Sequence, residues 1–426
     1  MLRRVCHSPR VQALRLPPLT CRSSSATLNR KFFLPNNHTP TAEATTVLRS
    51  PSIPETNYTG SSLEQLPPVV ITPPTLTYPP PHVTEYKPIP ALTPARLLGV
   101  YSQLSKSRLT TLMVLTAMSG VAMSPLPTTV PVLLATALGT ALCSASANTL
   151  NQISEIPFDA QMARTRNRPL VRRAITPLHA TGFAVVTGIA GPVLLWTCVN
   201  PLTATLGTLT LGLYAGVYTP MKRLSVANTW VGAVVGGIPP LMGWTACNGH
   251  LLPSPTYPIE FFPPPFLPEV AHFSAVASDN PLAAFSLFMF LFSWQFPHFN
   301  SLSRVVRTSY AQGGYKMLSV MSPRQNRLVA LRHSLLFIPI CSVLTPLAGL
   351  TTWAFAVTSL VPNALLIRSA WRFWKSGGDK EARRLFHDSL WYLPVVLGLM
   401  MFHKQGISWL EWIGWSEEKA QDAEES

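Results

Sequence analysis

The chain has 426 residues, of which 47% are hydrophobic and only 12% are charged, and its formal net charge is +15. Soluble domains contain about 25% charged residues, so this composition excludes an ordinary soluble protein. The six cysteines are scattered and form no closely spaced pair, which argues against a disulfide framework or a zinc site. Recurring apolar runs of about twenty residues predict an all-α, polytopic membrane protein.

The amino-terminal region is rich in arginine and serine, and its first acidic residue is Glu43. This composition, without an apolar signal segment, is typical of a mitochondrial transit peptide, which we predict over residues 1–31. Residues 32–95 are rich in proline, threonine and serine and are predicted to form a disordered linker. A transmembrane domain over 96–405 and an acidic tail over 406–426 complete the predicted organisation.

Nine apolar runs are candidate membrane spans, and the loops between them alternate in charge. The loops after the second, fourth, sixth and eighth runs are rich in Lys and Arg, whereas the loops on the other side contain none. By the positive-inside rule, the alternation supports nine spans and places the amino terminus and the basic loops on the matrix side of the inner mitochondrial membrane. The runs are 109–124, 129–150, 177–198, 202–219, 228–246, 281–299, 330–347, 350–369 and 389–403.

The same distribution of basic residues bears on the partners of the chain. Because these residues concentrate in short loops between apolar runs, they indicate membrane orientation and anionic ligands rather than nucleic acid. The proline-rich loop 247–280 carries no basic residue and is interpreted as a variable insertion.

A polar segment at the end of the second run combines acids with a cluster of arginines. Asn151, Glu155 and Asp159 are four residues apart, so they would share one face of an α-helix. Oxygen ligands beside arginines suit a diphosphate held by Mg²⁺. These three residues are therefore the predicted catalytic and metal-binding residues. The predicted diphosphate contacts of the segment are Asn148, Arg164 and Arg168.

Pro157 lies between the two acids and disturbs this regular spacing. A proline removes one helical N–H group and disfavours the helical conformation of the residue before it. We therefore expect the helix to kink or stop between Glu155 and Asp159. Their common face would then be a property of the broken helix.

This first motif resembles that of the UbiA superfamily of intramembrane prenyltransferases, in which an asparagine is followed at four-residue intervals by an acid and an aspartate. Other strings narrow the resemblance to the branch that farnesylates protoheme IX, and together they cover roughly residues 96–405. They are Arg-Thr-Arg-Asn-Arg-Pro-Leu-Val-Arg at 164–172, Tyr-Thr-Pro-Met-Lys-Arg at 218–223, the segment 228–244, Trp-Gln-Phe-Pro-His-Phe at 294–299 and Arg-Leu-Phe-His at 384–387.

The resemblance implies a nine-helix bundle that transfers farnesyl from farnesyl diphosphate to a vinyl group of heme b. It implies Mg²⁺ on the diphosphate and a dry apolar cavity that protects the allylic carbocation. Lys222 would be a further diphosphate contact, although a lysine that only sets topology explains it equally well. His298 would bind heme, because an imidazole can ligate iron or hold a propionate. A homo-oligomer, or a complex with a downstream heme-modifying enzyme, is a further hypothesis.

The region after the sixth run departs from the superfamily pattern. An aspartate-bearing motif is expected there, but residues 301–310 contain no acid, and Ser309 occupies the position aligned with the aspartate. Arg304 and Arg307 are three residues apart and would share a helix face, so we predict that they bind phosphate or a heme propionate. The departure argues against a second metal ion more than against the reaction.

Two other functions stay open from the sequence. One is another UbiA-type enzyme that prenylates an aromatic such as 4-hydroxybenzoate, and the Trp-Gln-Phe-Pro-His string argues against it. The other is an organic-anion transporter, because carriers also use broken helices with basic mouths. No inverted repeat is evident in the sequence to favour the transporter.

Overall fold

The computed structural model describes residues 93–264 and 279–406, and in these ranges the chain is helical, with one isolated β-bridge between Thr351 and Lys404. The all-α prediction is confirmed for this part of the chain. The predicted transit peptide, all but the end of the predicted linker, and the tail after residue 406 lie outside the described residues.

The first half of the described chain contains eight helices. They are α1 (Pro94–Leu104), α2 (Ser107–Met123), α3 (Val130–Ser154), α4 (Ile156–Asp159), α5 (Pro177–Cys198), α6 (Pro201–Gly212), α7 (Thr219–Leu224) and α8 (Asn228–Ala246). The second half contains nine. They are α9 (Pro281–Val305), α10 (Arg307–Gln312), α11 (Leu318–Met321), α12 (Pro323–Leu335), α13 (Phe337–Pro339), α14 (Thr345–Leu347), α15 (Ala354–Thr358), α16 (Leu360–Ser376) and α17 (Asp379–Phe402).

Two π-helical segments, Leu213–Tyr218 and Ile340–Leu344, each precede a Thr-Pro pair. In both places the threonine hydroxyl donates to a carbonyl five residues earlier, from Thr219 to Tyr214 and from Thr345 to Ile340, at 2.8 Å. A proline has no N–H group and crowds the carbonyl four residues before it, so the wider π turn accommodates the ring without ending the helix.

Five helical stretches in the described residues are long and apolar enough to cross a membrane. They are Val130–Ser154, Pro177–Cys198, Pro281–Val305, Pro323–Leu347 and Asp379–Phe402. The helix α2 is also apolar but has only 17 residues. Each of the nine predicted runs overlaps helical structure, which is consistent with nine spans, but the count itself stays a prediction.

The helices pack in an order that brings the last long helix of the described chain against one of its first helices. α2 packs against α3 and α8, α3 against α5, and α6 against α5 and α8. α9 packs against α8, α12 and α17, and α16 lies against α12 and α17. α17 also contacts α2, so the last long helix of the bundle meets one of the first. The largest buried cluster centres on Phe290, Phe337 and Tyr392.

The helix α3 shows how the bundle suits a lipid environment. Its exposed side chains include Leu134 and Leu138, whereas its buried face carries hydroxyl and amide groups. In lipid, small and polar residues pack between helices while leucines face the acyl chains. The buried polar residues of α3 are Thr136, Thr140, Ser144, Ser146, Asn148, Thr149, Asn151 and Gln152.

Candidate active site

The end of α3 forms the framework of the candidate site. α3 stops at Ser154, Glu155 takes a non-helical conformation (φ −101°, ψ 3°), and the short α4 then carries Pro157 and Asp159. The break predicted from Pro157 is therefore present, and it falls at Glu155. This position places Pro157 in the first turn of α4, where its missing N–H group is not needed.

The two acids of the site are buried and share basic partners. Glu155 and Asp159 are 5% and 1% exposed. The Lys222 ammonium lies 2.7 Å from Glu155 Oε1. Arg168 donates to Asp159 Oδ2, and its guanidinium also lies 3.6 Å from Glu155 Oε2. Two of the predicted diphosphate contacts thus converge on the two predicted metal-binding carboxylates.

Asn151 links these acids to a third basic residue, Lys106, which precedes α2. Lys106 Nζ donates to Asn151 Oδ1 at 2.8 Å and to the Tyr214 hydroxyl at 3.4 Å. The Asn151 amide in turn donates to Thr219 Oγ1 at 3.2 Å. The sequence did not predict Lys106 as a site residue, because it lies outside the polar segment and resembles an ordinary lysine at the membrane interface. We define the charged cluster as Lys106, Glu155, Asp159, Arg168 and Lys222.

Two tyrosines of the first π-helical segment line the charged cluster. The Lys222 ammonium lies 4.6 Å from the centre of the Tyr218 ring and 6.0 Å from that of Tyr214. Both rings therefore stabilise the ammonium through cation–π contacts. These contacts place Tyr214 and Tyr218 beside the charged cluster.

Tyr315 is a second residue of the site that sequence analysis missed. It is 3% exposed, its ring packs 6.2 Å from that of Phe158, and its hydroxyl has no hydrogen-bond partner of normal geometry among the described residues. Burial raises the pKa of Tyr315, and the nearby charges of Glu155 and Asp159 raise it further. The Gly-Gly-Tyr string at 313–315, which places a tyrosine after a tight turn, was the available signal.

The electrostatics of the charged cluster differ between its members. Burial raises the pKa of Glu155, but Lys222, Lys106 and Arg168 together hold it below its ordinary value. Burial and the charge of Glu155 raise the pKa of Asp159 by more than Arg168 lowers it. Burial, together with Arg168 and Lys222, lowers the pKa of Lys106 well below its ordinary value. The cluster therefore stabilises an anion at Glu155 and contains excess positive charge around it.

The oxygen donors of the site suit Mg²⁺. Glu155, Asp159 and Asn151 supply only oxygen donors, which Mg²⁺ prefers, and Asp159 Oδ1 is buried without a partner among the described residues. The described residues contain no group of three or more acids, histidines or cysteines that could enclose a metal. The residues therefore fit an ion that takes one or two carboxylates and completes its coordination with water and phosphate oxygens.

Four other predicted diphosphate contacts lie apart from the two acids. Asn148 donates to the Ser105 carbonyl at 3.0 Å, and Arg164 is exposed with its guanidinium 5.7 Å from the Tyr310 ring centre. Arg304 donates to the Gly377 carbonyl at 3.1 Å and pairs with Asp379. Arg307 is half-buried and forms no ion pair among the described residues. Val306, with φ −102°, breaks the helix between Arg304 and Arg307, so the two arginines do not share one continuous helix, contrary to the prediction.

His298 lies in α9 with its ring enclosed by aromatic side chains. The ring stacks on Trp294 with centroids 4.5 Å apart and lies 5.0 Å from Phe386. Its Nδ1 is 3.0 Å from Ser389 Oγ on α17, which fixes the ring orientation. The other ring nitrogen, Nε2, forms no hydrogen bond within the described residues, so it is available for a ligand.

The arrangement at the charged cluster can hold a phosphorylated anion at the end of a membrane helix. Comparison with known proteins identifies the family of the chain. The sequence profile of the UbiA prenyltransferase family matches residues 112–392. The chain is 44% identical over 309 residues to the human mitochondrial protoheme IX farnesyltransferase, covering 72% of this chain and 63% of that protein. It is also 44% identical over 335 residues to the Neurospora crassa protein of the same name, covering 75% and 63%.

The chain therefore spans less than two thirds of the length of these curated relatives. A solved structure of digeranylgeranylglyceryl phosphate synthase has a similar fold, with a TM-score of 0.54 and 16% identity over 72% of this chain and 98% of that one. The family profile alone covers more than half of the 426 residues. The chain belongs to the UbiA prenyltransferase family.

Proposed function

We propose that the chain transfers the farnesyl group of farnesyl diphosphate to a vinyl group of heme b, giving heme O. The observation that carries this proposal is the 44% identity to mitochondrial protoheme IX farnesyltransferases over most of the described bundle. The buried charged cluster supports the diphosphate half of the reaction, because two acids and three bases meet at the mouth of α3.

The charged cluster would act on the diphosphate leaving group. Arg168 and Lys222 would exchange part of their contact with the acids for phosphate oxygens, and Glu155 and Asp159 would hold Mg²⁺ with Asn151. Bound Mg²⁺ would neutralise charge on the departing diphosphate. Because the cluster is mostly closed to water, each of these interactions is stronger than it would be in solvent.

The chemistry breaks the C1–O bond of farnesyl diphosphate, the π bond of the heme vinyl group and one O–H bond of water, and it forms one C–C bond and one C–O bond. The C1–O bond of farnesyl diphosphate breaks, and its electron pair leaves with the diphosphate. The allylic C1 then bonds to the terminal carbon of the heme vinyl group, which leaves a cation on the carbon next to the porphyrin. A water molecule adds to that carbon and loses a proton, which gives the hydroxyethylfarnesyl side chain.

We assign heme binding to His298 in this proposal. Its Nδ1 contact with Ser389 orients the ring, as hydrogen bonds commonly do for metal-binding histidines, and Nε2 is left for heme iron or a propionate. Arg304 and Arg307 are proposed as anion contacts, and Arg307 is the better placed of the two because Arg304 already binds Asp379.

The proposed location is the inner mitochondrial membrane, with the charged cluster on the matrix side. The mitochondrial names of the relatives and the five apolar helices support a mitochondrial membrane protein. The basic loop that carries Arg168 supports the matrix side. Partners beyond the two substrates, including a second copy of the chain or a heme-modifying enzyme, remain part of the proposal.

The test is incubation of the purified chain with heme b, farnesyl diphosphate and Mg²⁺, followed by mass spectrometry of the extracted heme. The proposal expects a heme enlarged by one farnesyl group and one hydroxyl group. A parallel reaction with 4-hydroxybenzoate would give a prenylated phenol if the chain is an aromatic prenyltransferase. Uptake of ligand by proteoliposomes without any product would instead favour a transporter.

A further inference from the structure

Lys106 is held in a backbone conformation that a lysine rarely adopts. It has φ 50° and ψ 57°, in the left-handed region, at the junction between α1 and α2. For a residue other than glycine this conformation costs on the order of 1 kcal/mol, and it persists only where the surroundings enforce it. Such strain is a reason to look for a functional side chain at this position.

Side chains of α3 fix the turn that contains Lys106. Asn148 Nδ2 donates to the Ser105 carbonyl at 3.0 Å, and Gln152 Nε2 donates to the carbonyls of Gln103 and Leu104 at 3.0 and 2.9 Å. Asn148 and Gln152 are one helical turn apart, so α3 holds the turn from a single face. The same helix face that ends in the two acids therefore positions Lys106.

The Lys106 side chain is partly buried, and its ammonium forms no ion pair among the described residues. It binds only the neutral oxygens of Asn151 and Tyr214, whereas Arg168 and Lys222 are each paired with a carboxylate. A partly buried ammonium without a contacting counter-ion is costly, and this cost favours binding of an anion beside it. Tyr214 and Asn151 direct the ammonium toward the space between α3 and the first π-helical segment.

We propose that Lys106 is a third cation of the diphosphate site and that, with it, the site needs a single divalent cation. This inference rests on the proposed function, because it assumes that a diphosphate binds at the charged cluster. When all five side chains are ionised, three basic residues and two carboxylates give the cluster a net charge of +1. One Mg²⁺ brings this to three, which balances the about three negative charges of a diphosphate ester at neutral pH.

The second half of the bundle supports a single metal ion. α9 ends and breaks at Val306 as α3 does at Glu155, but the short helix that follows, Arg307–Gln312, carries no acid, and Ser309 stands where the superfamily resemblance places an aspartate. Without carboxylates there, a second divalent cation would have no protein ligand of the kind Mg²⁺ prefers. The Lys106 ammonium supplies a positive charge that such an ion would otherwise contribute.

The first test measures binding of inorganic pyrophosphate to the full chain in detergent, with Mg²⁺ present. Lys106→Gly removes the ammonium and relieves the left-handed backbone, so the variant should fold normally. We expect its pyrophosphate affinity to fall by about tenfold to a hundredfold, the loss of one charge-assisted contact. Arg173→Gly is the matched control, since Arg173 is also basic and left-handed (φ 57°) but is exposed and lies outside the charged cluster, and the variant should bind as the wild type does.

The second test counts metal ions with Mn²⁺ in place of Mg²⁺. Electron paramagnetic resonance of the wild-type chain with pyrophosphate should show one isolated Mn²⁺ per chain. A spin-coupled pair would overturn the single-cation inference. Unchanged pyrophosphate affinity in Lys106→Gly would overturn the role of Lys106 and leave the proposed function standing. A wild-type chain that binds no pyrophosphate at all would overturn the proposed function and this inference with it.

Discussion

Arg168 is the residue that ties the two acids of the charged cluster together. Its guanidinium contacts both Asp159 and Glu155, while Lys222 takes the remaining oxygen of Glu155. A buried ion pair needs several good contacts to offset desolvation, and this shared arrangement supplies them. Because the Arg168 side chain is 22% exposed, it is also within reach of a ligand that enters from the mouth of the site.

Replacing Asp159 by alanine tests the role of this arrangement. Asp159→Ala removes a proposed Mg²⁺ ligand and should lower farnesyl transfer by more than about 100-fold. Stability should fall by only about 1–3 kcal/mol, because Arg168 keeps Glu155 as a partner. Product formation by mass spectrometry and thermal unfolding in detergent measure the two effects.

The matched control for this variant is Asp279→Ala. Asp279 is also a buried carboxylate, 6% exposed, and is paired with His250 at 2.6 Å, but it belongs to a different part of the chain. This change should lower stability by a similar amount and leave the KM for farnesyl diphosphate unchanged. Equal losses of activity in the two variants would mean that Asp159 acts through stability alone.

Replacing His298 by alanine tests heme binding at α9. His298→Ala should weaken binding of ferric heme about tenfold and shift its absorbance maximum, because it removes the proposed iron or propionate contact. His333→Ala is the control, since His333 is also a stacked histidine of the bundle, with its ring 3.6 Å from that of Phe296. Unchanged heme affinity and an unchanged heme spectrum in His298→Ala would contradict the assignment.

The sequence predicted those site residues whose local pattern is itself informative. Glu155, Asp159 and Arg168 lie within fourteen residues of one another, so one helix end could place them together, and the structure does so. Lys106 and Tyr315 reach the same cluster from distant segments, and no local spacing signals a contact across the bundle. Tertiary packing, rather than motif spacing, determines which isolated polar residues join the site.

Each half of the bundle contains a helix break, after α3 and after α9, and only the break after α3 could be predicted from the sequence. Pro157 signals the break after α3, because its ring cannot follow a continuous helix. The equivalent break at Val306, after α9, has no proline or glycine beside it. Arg304 lies in the last turn of α9, just before this break, and its Nε donates to the Gly377 carbonyl at the end of α16. A cation at this position stabilises the carbonyls at the helix end.

Close packing of α2 against α8 depends on glycine at two facing positions. A Cβ atom at Gly243 would lie 1.9 Å from the Ala117 carbonyl oxygen, and one at Gly120 would lie 2.0 Å from the Pro240 carbonyl oxygen. Because both obstacles are backbone atoms, neither can move aside without separating the helices. Small residues at such crossings allow helix backbones to approach closely in membranes.

Gly243→Ala should therefore destabilise the bundle by about 3 kcal/mol, the upper range for overpacking a core. Thermal unfolding of the purified chain in detergent measures this loss as a lower midpoint temperature. The control is Gly398→Ala in α17, where a Cβ atom would meet nothing within 4 Å and helix propensity should give a neutral or slightly stabilising effect. Equal midpoints for the two variants would show that the α2–α8 contact is looser than the structure indicates.

For the whole molecule, hydropathy predicted the long helices well because lipid exposure demands apolar side chains along their length. The run 177–198 coincides with Pro177–Cys198, and 228–246 coincides with Asn228–Ala246. The run 350–369 was less accurate, because α16 begins only at Leu360 after the short α15. Hydropathy also does not detect the polar ends of helices. For example, α17 begins at Asp379, ten residues before the predicted run.

The basic loops predict the orientation of the bundle, and cysteine labelling tests this prediction. Cys198 is exposed at the end of α5, in a turn without basic residues, whereas Arg166 is exposed in the basic loop that follows α4. The positive-inside rule places these two positions on opposite sides of the membrane. In mitoplasts, a membrane-impermeant maleimide should label Cys198 without permeabilisation.

The partner variant carries Arg166→Cys in a chain whose Cys6, Cys21 and Cys198 are serine. This cysteine should react only after detergent opens the inner membrane, because its loop is expected in the matrix. The remaining cysteines, Cys143, Cys247 and Cys341, are buried and should not react in the folded chain. The reverse labelling pattern would place the charged cluster on the outer face, and farnesyl diphosphate would then have to bind from the intermembrane space.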